Sequence, residues 1–188
     1  PVMEMLSGTA SVEAVTARAS AFSLVSSDNR TYGAMVIGVD PENEAKVSTL
    51  ASLVREGGFL TGAKPDQNPA LIGRLMANNL QVQIGDELVV LGQGRDGSVA
   101  ANVLTVWGIY ASGIDEFDRR ILHMPLDTFQ STYSMHGAVH EIVVNVSSLD
   151  QVGPVKRAVA ERLDRMPSGE NLTVLDWDEL IPDRKSVV

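Results

Sequence analysis

The sequence predicts an α+β protein, and three observations carry that expectation. Alternating apolar and polar residues, the mark of half-buried strands, recur through the first two thirds of the chain. A single apolar stripe with helical spacing stands near the end. The order of elements is uneven. One helix and one strand open the chain, a β-rich middle follows from about residue 31 to 134, and a strand–helix–strand unit closes it.

VMEMLSG reads as a short helical turn that Gly8 ends. In ASVEAVTARASAFSLVSS the odd positions from Val15 to Ala21 are apolar and Thr16, Arg18 and Ser20 are polar, which predicts a half-buried strand. At Phe22 and Leu24 the apolar phase moves to even positions. A shift of one residue predicts a bulge near Ala21, or a strand passing from one sheet to another. SSDNR makes a turn, and TYGAMVIGVD is the returning strand of a hairpin. PENEAKVSTLASLVREGG carries short helical pieces that Gly57 and Gly58 stop, and GAKPDQNPA is a loop. LIGRLMANNL reads as a short strand and a helical turn. QIGDELVVLGQ turns at Gly85-Asp86 and then extends. NVLTVWGIYAS is a strand by its β-branched and aromatic content, and GIDEFDRR a polar loop.

HEIVVNV is the next strand. The clearest helix follows, with Val152, Val155, Val159, Leu163 and Met166 on one stripe and Lys156, Arg157, Glu161 and Arg162 on the other face. Ser148 with Gln151 fits a capping box, and a start at Gly153 with Pro154 at the first helical position is the alternative. NLTVLDW is read as a last strand, so the helix covers one face of a layered unit. Residues 1–30 and 135–188 are thus expected to build one α+β lobe, with a β-rich lobe, 31–134, inserted between them.

The bulk numbers restrict the functions available. The chain has 188 residues, 44% hydrophobic and 21% charged, enough to bury a core in a folded soluble domain. Its formal charge of −9, with no Lys or Arg run, argues against nucleic acid and anionic lipid heads, which need a basic face. Absence of cysteine excludes disulfides, thiolate catalysis and Cys-based zinc sites. No apolar stretch approaches the ~20 residues of a membrane helix. The start at Pro1 and the end at RKSVV are compatible with an excised fragment whose flanks carry the targeting information.

The motifs nominate no catalytic site. Gly92-x-Gly94-x-x-Gly97 has the spacing of a dinucleotide fingerprint, but SVAANVLTVWGIY after it has strand character. A phosphate cradle needs a helix there, so the glycines are read as a hairpin tip. His136 and His140 are four apart and run into a strand, where such a pair lies ~13 Å apart, so no metal pair forms. His123 reads as an ordinary loop or strand-edge histidine. Asp115, Glu116 and Asp118 lack the ligand pattern of a calcium loop, and Asp118 beside Arg119 and Arg120 is expected in surface ion pairs. Trp107 and Trp177 are expected to pack in cores. No serine lies in a G-x-S-x-G elbow, and no cofactor is expected.

An ordered set of short blocks resembles the extracytoplasmic domains of MacB- and LolC/LolE-type ABC transporter permeases. ALIGRLMANNLQVQIGDELVVL fits the block that precedes a strand ending in a Gly-Ile pair, here Gly108-Ile109. MVIGVDPENE, REGGFL, ILHMPLDTFQSTYS, VHEIVVNVSSLDQVGPVKRAVAERL and VLDWDELIP fit further blocks in the family's order. GIDEFDRR leans toward the lipoprotein-releasing branch without separating it from the efflux branch.

This resemblance implies a Porter-like α+β lobe with an inserted Sabre-like β lobe, membrane helices before Pro1 and after Val188, and exposure on the extracytoplasmic side of the inner membrane. It implies ATP hydrolysis on a separate domain or subunit, a periplasmic protein or lipoprotein as partner, and a dimer in the full-length permease. Within it, the loops 92–98 and 112–118 are candidates for the partner interface, through Arg95 and Asp96 in the first and Ile114 and Phe117 in the second. Ile114 and Phe117 are apolar residues in polar company, and the alternative is that both cap a core. Two other readings stand beside this one: a stand-alone α+β binding module, and a nucleotide-binding enzyme using the glycine turn.

Overall fold

The computed structural model describes residues 2–166 and 172–180. Helix α1, Val2–Ser7, closes at Gly8, whose N–H reaches the Glu4 carbonyl at 3.1 Å. Strand β1 runs over Val12–Ser26 and pairs antiparallel with β2, Thr31–Val39, through a turn in which Ser27 N–H bonds the Arg30 carbonyl. Helix α2, Pro41–Val47, starts where Asp40 accepts from the Asn43 N–H and Pro41 presets the first helical φ. Strand β3 is Val54–Gly57, β4 Pro69–Gly73, and helix α3 Arg74–Leu80. The hairpin of β5, Glu87–Gln93, and β6, Val99–Tyr110, leads to α4, Asp115–Arg120. Then come β7, Ile121–Pro125, α5, Leu126–Thr132, β8, Glu141–Val146, α6, Val152–Leu163, and α7, Trp177–Leu180.

Eight strands form one mixed sheet in the order β2-β7-β4-β6-β5-β1-β8, with β3 beside β6. Because β1 also pairs with β2, the path from β2 to β1 closes on itself. The β2–β7 and β4–β6 pairs are parallel.

The chain divides into two compact units, Thr16–Val143 and the two ends Pro1–Val15 with Val144–Val188. In the central unit the closed path surrounds a core in which Val25, Val36, Ile72, Leu88, Leu104 and Leu122 are fully buried. Each such side chain contributes roughly 1.5–3 kcal/mol by leaving water. Phe129 and Tyr133 stack in that core with ring centroids 4.3 Å apart. In the terminal unit α6 buries Val155, Val159 and Leu163 of the stripe read from the sequence, while Val152 is half-buried and Met166 lies past the helix end; α1 buries Leu6. Arg162 donates to Thr9 Oγ1 at 3.0 Å, while Lys156 pairs with Asp176 at 3.0 Å and with Glu179.

Several expectations are corrected. There is no bulge in β1 near Ala21, since the β1–β2 register runs unbroken from Arg18↔Val39 to Ser26↔Thr31. Odd positions stay inside, and Phe22 and Leu24 face out, 67% and 45% exposed. Ser23 holds the inner position because its hydroxyl bonds Tyr133 Oη at 2.7 Å, which satisfies a buried polar group. Residues 54–57 form β3 rather than helix, because β6 offers them a partner edge. GIDEFDRR contains α4, with Asp115, Glu116 and Asp118 in its first turn and Arg119 and Arg120 in its last, matching the helix dipole. The Ser148–Gln151 capping box does not form: a 3₁₀ turn, Leu149–Gln151, precedes α6, and the Gln151 side chain accepts from Ser11 instead. α6 begins at Val152, so Pro154 falls in the first turn, where a missing N–H costs no helix bond. Residues 172–176 are not a strand. Asp176 accepts from the N–H groups of Asp178 and Glu179 and starts α7 at Trp177, which is 46% exposed and packs no core. Asn171 and the terminal RKSVV lie outside the described residues.

Gly108 sits where backbones approach closely: a Cβ there would stand 2.2 Å from the Gly58 carbonyl oxygen. Gly97 instead needs only its left-handed φ of +83° and has open space around it. Gly108→Ala should therefore cost about 3 kcal/mol and Gly97→Ala about 1 kcal/mol in urea unfolding. Equal losses at the two positions would contradict this packing.

Candidate functional site

Phe117 and Ile114 lie where β6 gives way to α4. Ile114 is 52% exposed and Phe117 48% exposed, so neither is enclosed by the core. Their loop is closed from within. Asp118 is buried and accepts from the Ser112 N–H at 2.8 Å and from its hydroxyl at 2.6 Å. This corrects the expectation of surface pairs for Asp118; Arg120 pairs with Glu116 instead, one helical turn away. Gly73 lets the Asp118 backbone approach, since a Cβ on it would meet the Asp118 carbonyl oxygen at 2.2 Å. Tyr110 Oη donates toward the Phe117 and Ile121 carbonyls at 3.2 and 3.1 Å. Burial, and then the charge of Asp118, push its phenol pKa up, so it stays a donor.

Beside Phe117 opens a cleft of about 220 Å³, lined among others by Arg18, Ile37, Glu44, Tyr110 and His123. Its floor is ionic. Arg18 grips Glu44 with two nitrogens, at 2.8 and 3.1 Å, and reaches Glu141 at 3.3 Å. Thr16 bonds Glu44 as well, at 3.4 Å. Burial alone would push the Glu44 pKa up, but hydrogen bonds from Arg18 and Ser48, with the Arg18 charge, hold it below its ordinary value. Arg18 is likewise held charged: burial opposes its charge, and Glu44 and then Glu141 outweigh it. His123 stands edge-on to Tyr110, ring centroids 5.6 Å apart, and its Nδ1 is buried without a hydrogen-bond partner. Burial, with Arg18 adding to it against the pull of Glu44, lowers the His123 pKa to about 4, so the ring is neutral at pH 7.

The other candidates sit elsewhere. Arg95 and Asp96 are exposed at the β5–β6 tip. The twelve residues of β6 separate that tip from α4, a distance of roughly 36 Å along the strand. The tip is well tied. Gly94 N–H bonds the Ser98 carbonyl at 2.8 Å, Arg95 N–H bonds the Tyr133 carbonyl at 2.9 Å, and Asp96 accepts from Ser98 N and Oγ. No helix begins after Gly97, so the glycines form the hairpin tip read from the sequence. His140 Nδ1 accepts from Ser20 N–H at 2.9 Å, which places its ring proton on Nε2. Among the described residues no three His, Asp or Glu side chains converge as metal ligands. Trp107 donates to the Phe59 carbonyl at 3.1 Å while half-buried. Sequence reasoning missed the Arg18–Glu44–His123 group, because its members come from β1, α2 and β7 and share no local spacing.

His123 makes stability acid-sensitive. The unfolded chain protonates it below about its ordinary 6.5, the folded chain only below about 4. Between those values the unfolded state holds more protons, so this contribution is complete above pH 6.5 and is lost as pH falls toward 4. Its size is about 3 kcal/mol. His123→Phe should flatten the dependence of Tm on pH in that window and preserve stability at pH 7.5, where it removes an unpaired buried nitrogen. The Glu44 contribution, lost below its ordinary 4.5, should survive the substitution. An unchanged slope between pH 6.5 and 4 would contradict the assignment.

The family described as MacB-like periplasmic core domain matches residues 2–162. Two curated relatives are the lipoprotein-releasing system transmembrane proteins LolC of Xylella fastidiosa, strains 9a5c and Temecula1. They are 29% and 28% identical over 140 residues, covering 72% of this chain and 33% of each relative. The chain thus spans about a third of their length. Among solved structures, the periplasmic region of MacB from Actinobacillus actinomycetemcomitans is similar with a TM-score of 0.69 at 14% identity, over 100% of this chain and 82% of that one. The extracellular domain of the ABC-type transporter YknZ from Gram-positive bacteria gives 0.67 at 16% identity, over 87% and 81%. At such identities the likeness speaks for the fold. The family match takes in the whole closed sheet and nearly all of α6, and the chain belongs to the MacB-like periplasmic core domain family.

Proposed function

We propose that this chain is the extracytoplasmic domain of an ABC transporter permease in a bacterial inner membrane, held by flanking membrane helices and acting without chemistry of its own. ATP is hydrolysed on a cognate ATP-binding domain or subunit. The domain relays the resulting motion and engages a periplasmic protein or a lipoprotein. The observation that carries this reading is the family match over residues 2–162. The two LolC relatives favour the lipoprotein-releasing type over efflux. The notion of a Porter-like lobe from both chain ends (1–30 and 135–188) around a Sabre-like insertion (31–134) has support in a unit made from both ends, Pro1–Val15 with Val144–Val188, although residues 16–30 and 135–143 fall in the central unit. Arg95, Asp96, Ile114 and Phe117 are proposed as partner contacts because all four are exposed on backbone that hydrogen bonds hold in place. A side chain presented on ordered backbone loses less entropy on binding.

The test uses the parent permease reconstituted with its ATP-binding subunit. Excising residues 2–166 should leave ATP hydrolysis running while cargo release falls to background. Release that persists would overturn the reading. Photo-cross-linkers at Ile114, Phe117, Arg95 and Asp96 in cells should form adducts with an extracytoplasmic protein. Background labelling at all four would remove them as contacts.

A further inference from the structure

The outward face of β2, β1, β5 and β6 is apolar where a solvated sheet would be polar. Met35 lies opposite Phe22, Leu24 opposite Leu91, and Val89 opposite Val103, so these six form one patch across four strands. Phe22 is 67% exposed, Met35 38%, and the other four between 44% and 46%. The Phe22 ring lies over β2, where Gly33 leaves it room: a Cβ there would come within 2.7 Å of the ring. Among the outward positions of these registers, within Ser20–Ser26, Thr31–Met35, Glu87–Gln93 and Val99–Thr105, Glu87 is the one charged residue, although 21% of the chain is charged.

We propose that this face docks a second copy of the chain, sheet against sheet about a two-fold axis. A two-fold interface sets one patch against itself, so any charge it carries meets a like charge. A chain of net charge −9 can meet its copy without that repulsion on a face this nearly uncharged. The size also fits. Side chains this exposed leave roughly 500 Å² of apolar surface, the upper range for a lone monomer and most of the ~800 Å² each partner brings to a standard interface. Sheets that pack face to face interdigitate side chains of this kind at ~10 Å spacing. The inference stands on this face of the 188-residue chain and does not depend on the transporter reading.

Sedimentation of the chain up to about 500 µM should show a monomer–dimer equilibrium, weakened ~10-fold or more by Leu91→Glu. Added salt should tighten it, by screening the net charge and strengthening apolar contact. Since the chain has no cysteine, Leu24→Cys provides a single thiol near the patch centre, and it should form a disulfide-linked dimer under mild oxidation faster than exposed Lys64→Cys. Circular dichroism controls for folding; should Leu91→Glu fail to fold, the comparison of the two cysteine variants decides. A wild-type chain that stays monomeric over the whole range overturns the proposal. So does a dimer indifferent to Leu91→Glu, or equal cross-linking at positions 24 and 64. Flotation of a monomeric chain with phosphatidylcholine vesicles, abolished by Leu91→Glu, would assign the face to a lipid surface and overturn the dimer.

Discussion

The structure depends on β1 being hydrogen-bonded along both edges. Its residues 18–26 pair with β2 on one side, while residues 24–26 pair with β5 on the other. That double pairing closes the strand path around the buried core. Once the path is closed, the parity of β1 is decided for its whole length, because a slip of one residue would turn every side chain over. Ser23 shows how firm the parity is. A serine occupies an inner position, with its hydroxyl on Tyr133, while a phenylalanine beside it is left outside. Gly92 completes the fit, since a Cβ on it would stand 2.5 Å from Ser23 Oγ.

Around this closed path, a few buried polar groups tie one element to another. Arg18 and Glu44 form a two-pronged pair in which the carboxylate is buried and the guanidinium partly exposed, so removing Arg18 would leave a buried charge without its partner. The pair acts as a registration device between β1 and α2. Asp118 does the same between α4 and the end of β6, with Ser112 as its partner and Gly73 yielding space. These contacts hold Phe117 at the cleft rim without burying it.

Much of this was legible in the sequence, and the failures share a cause. Element types that rest on local periodicity or turn chemistry emerged well: the β1–β2 hairpin, β4 with α3, the β5–β6 hairpin and its glycine tip, and the apolar stripe of α6. The inward face of β1 beyond Ala21 did not, because a hydroxyl bond spanning 110 residues outranks hydrophobicity there. β3 is four residues long and exists only because β6 pairs with it. The short helix in GIDEFDRR was hidden by its polarity, although its charges are ordered along the dipole. Residues 172–176 have strand composition, but Asp176 captures the following N–H groups and turns the chain into α7. Of the candidate site, the exposed loop residues could be picked out as misfits in their local company. The ionic cleft beneath Phe117 could not, since nothing local in PENEAKV marks Glu44 as the buried partner of Arg18.

The β5–β6 tip keeps its shape through main-chain bonds and the short Asp96–Ser98 link, and Arg95 contributes to that scaffolding through its backbone N–H rather than its side chain. Shape and identity are therefore separable there. Selection can rewrite the residue at position 95 without disturbing the sheet behind it, so the tip can vary in side chain while inheriting the same backbone.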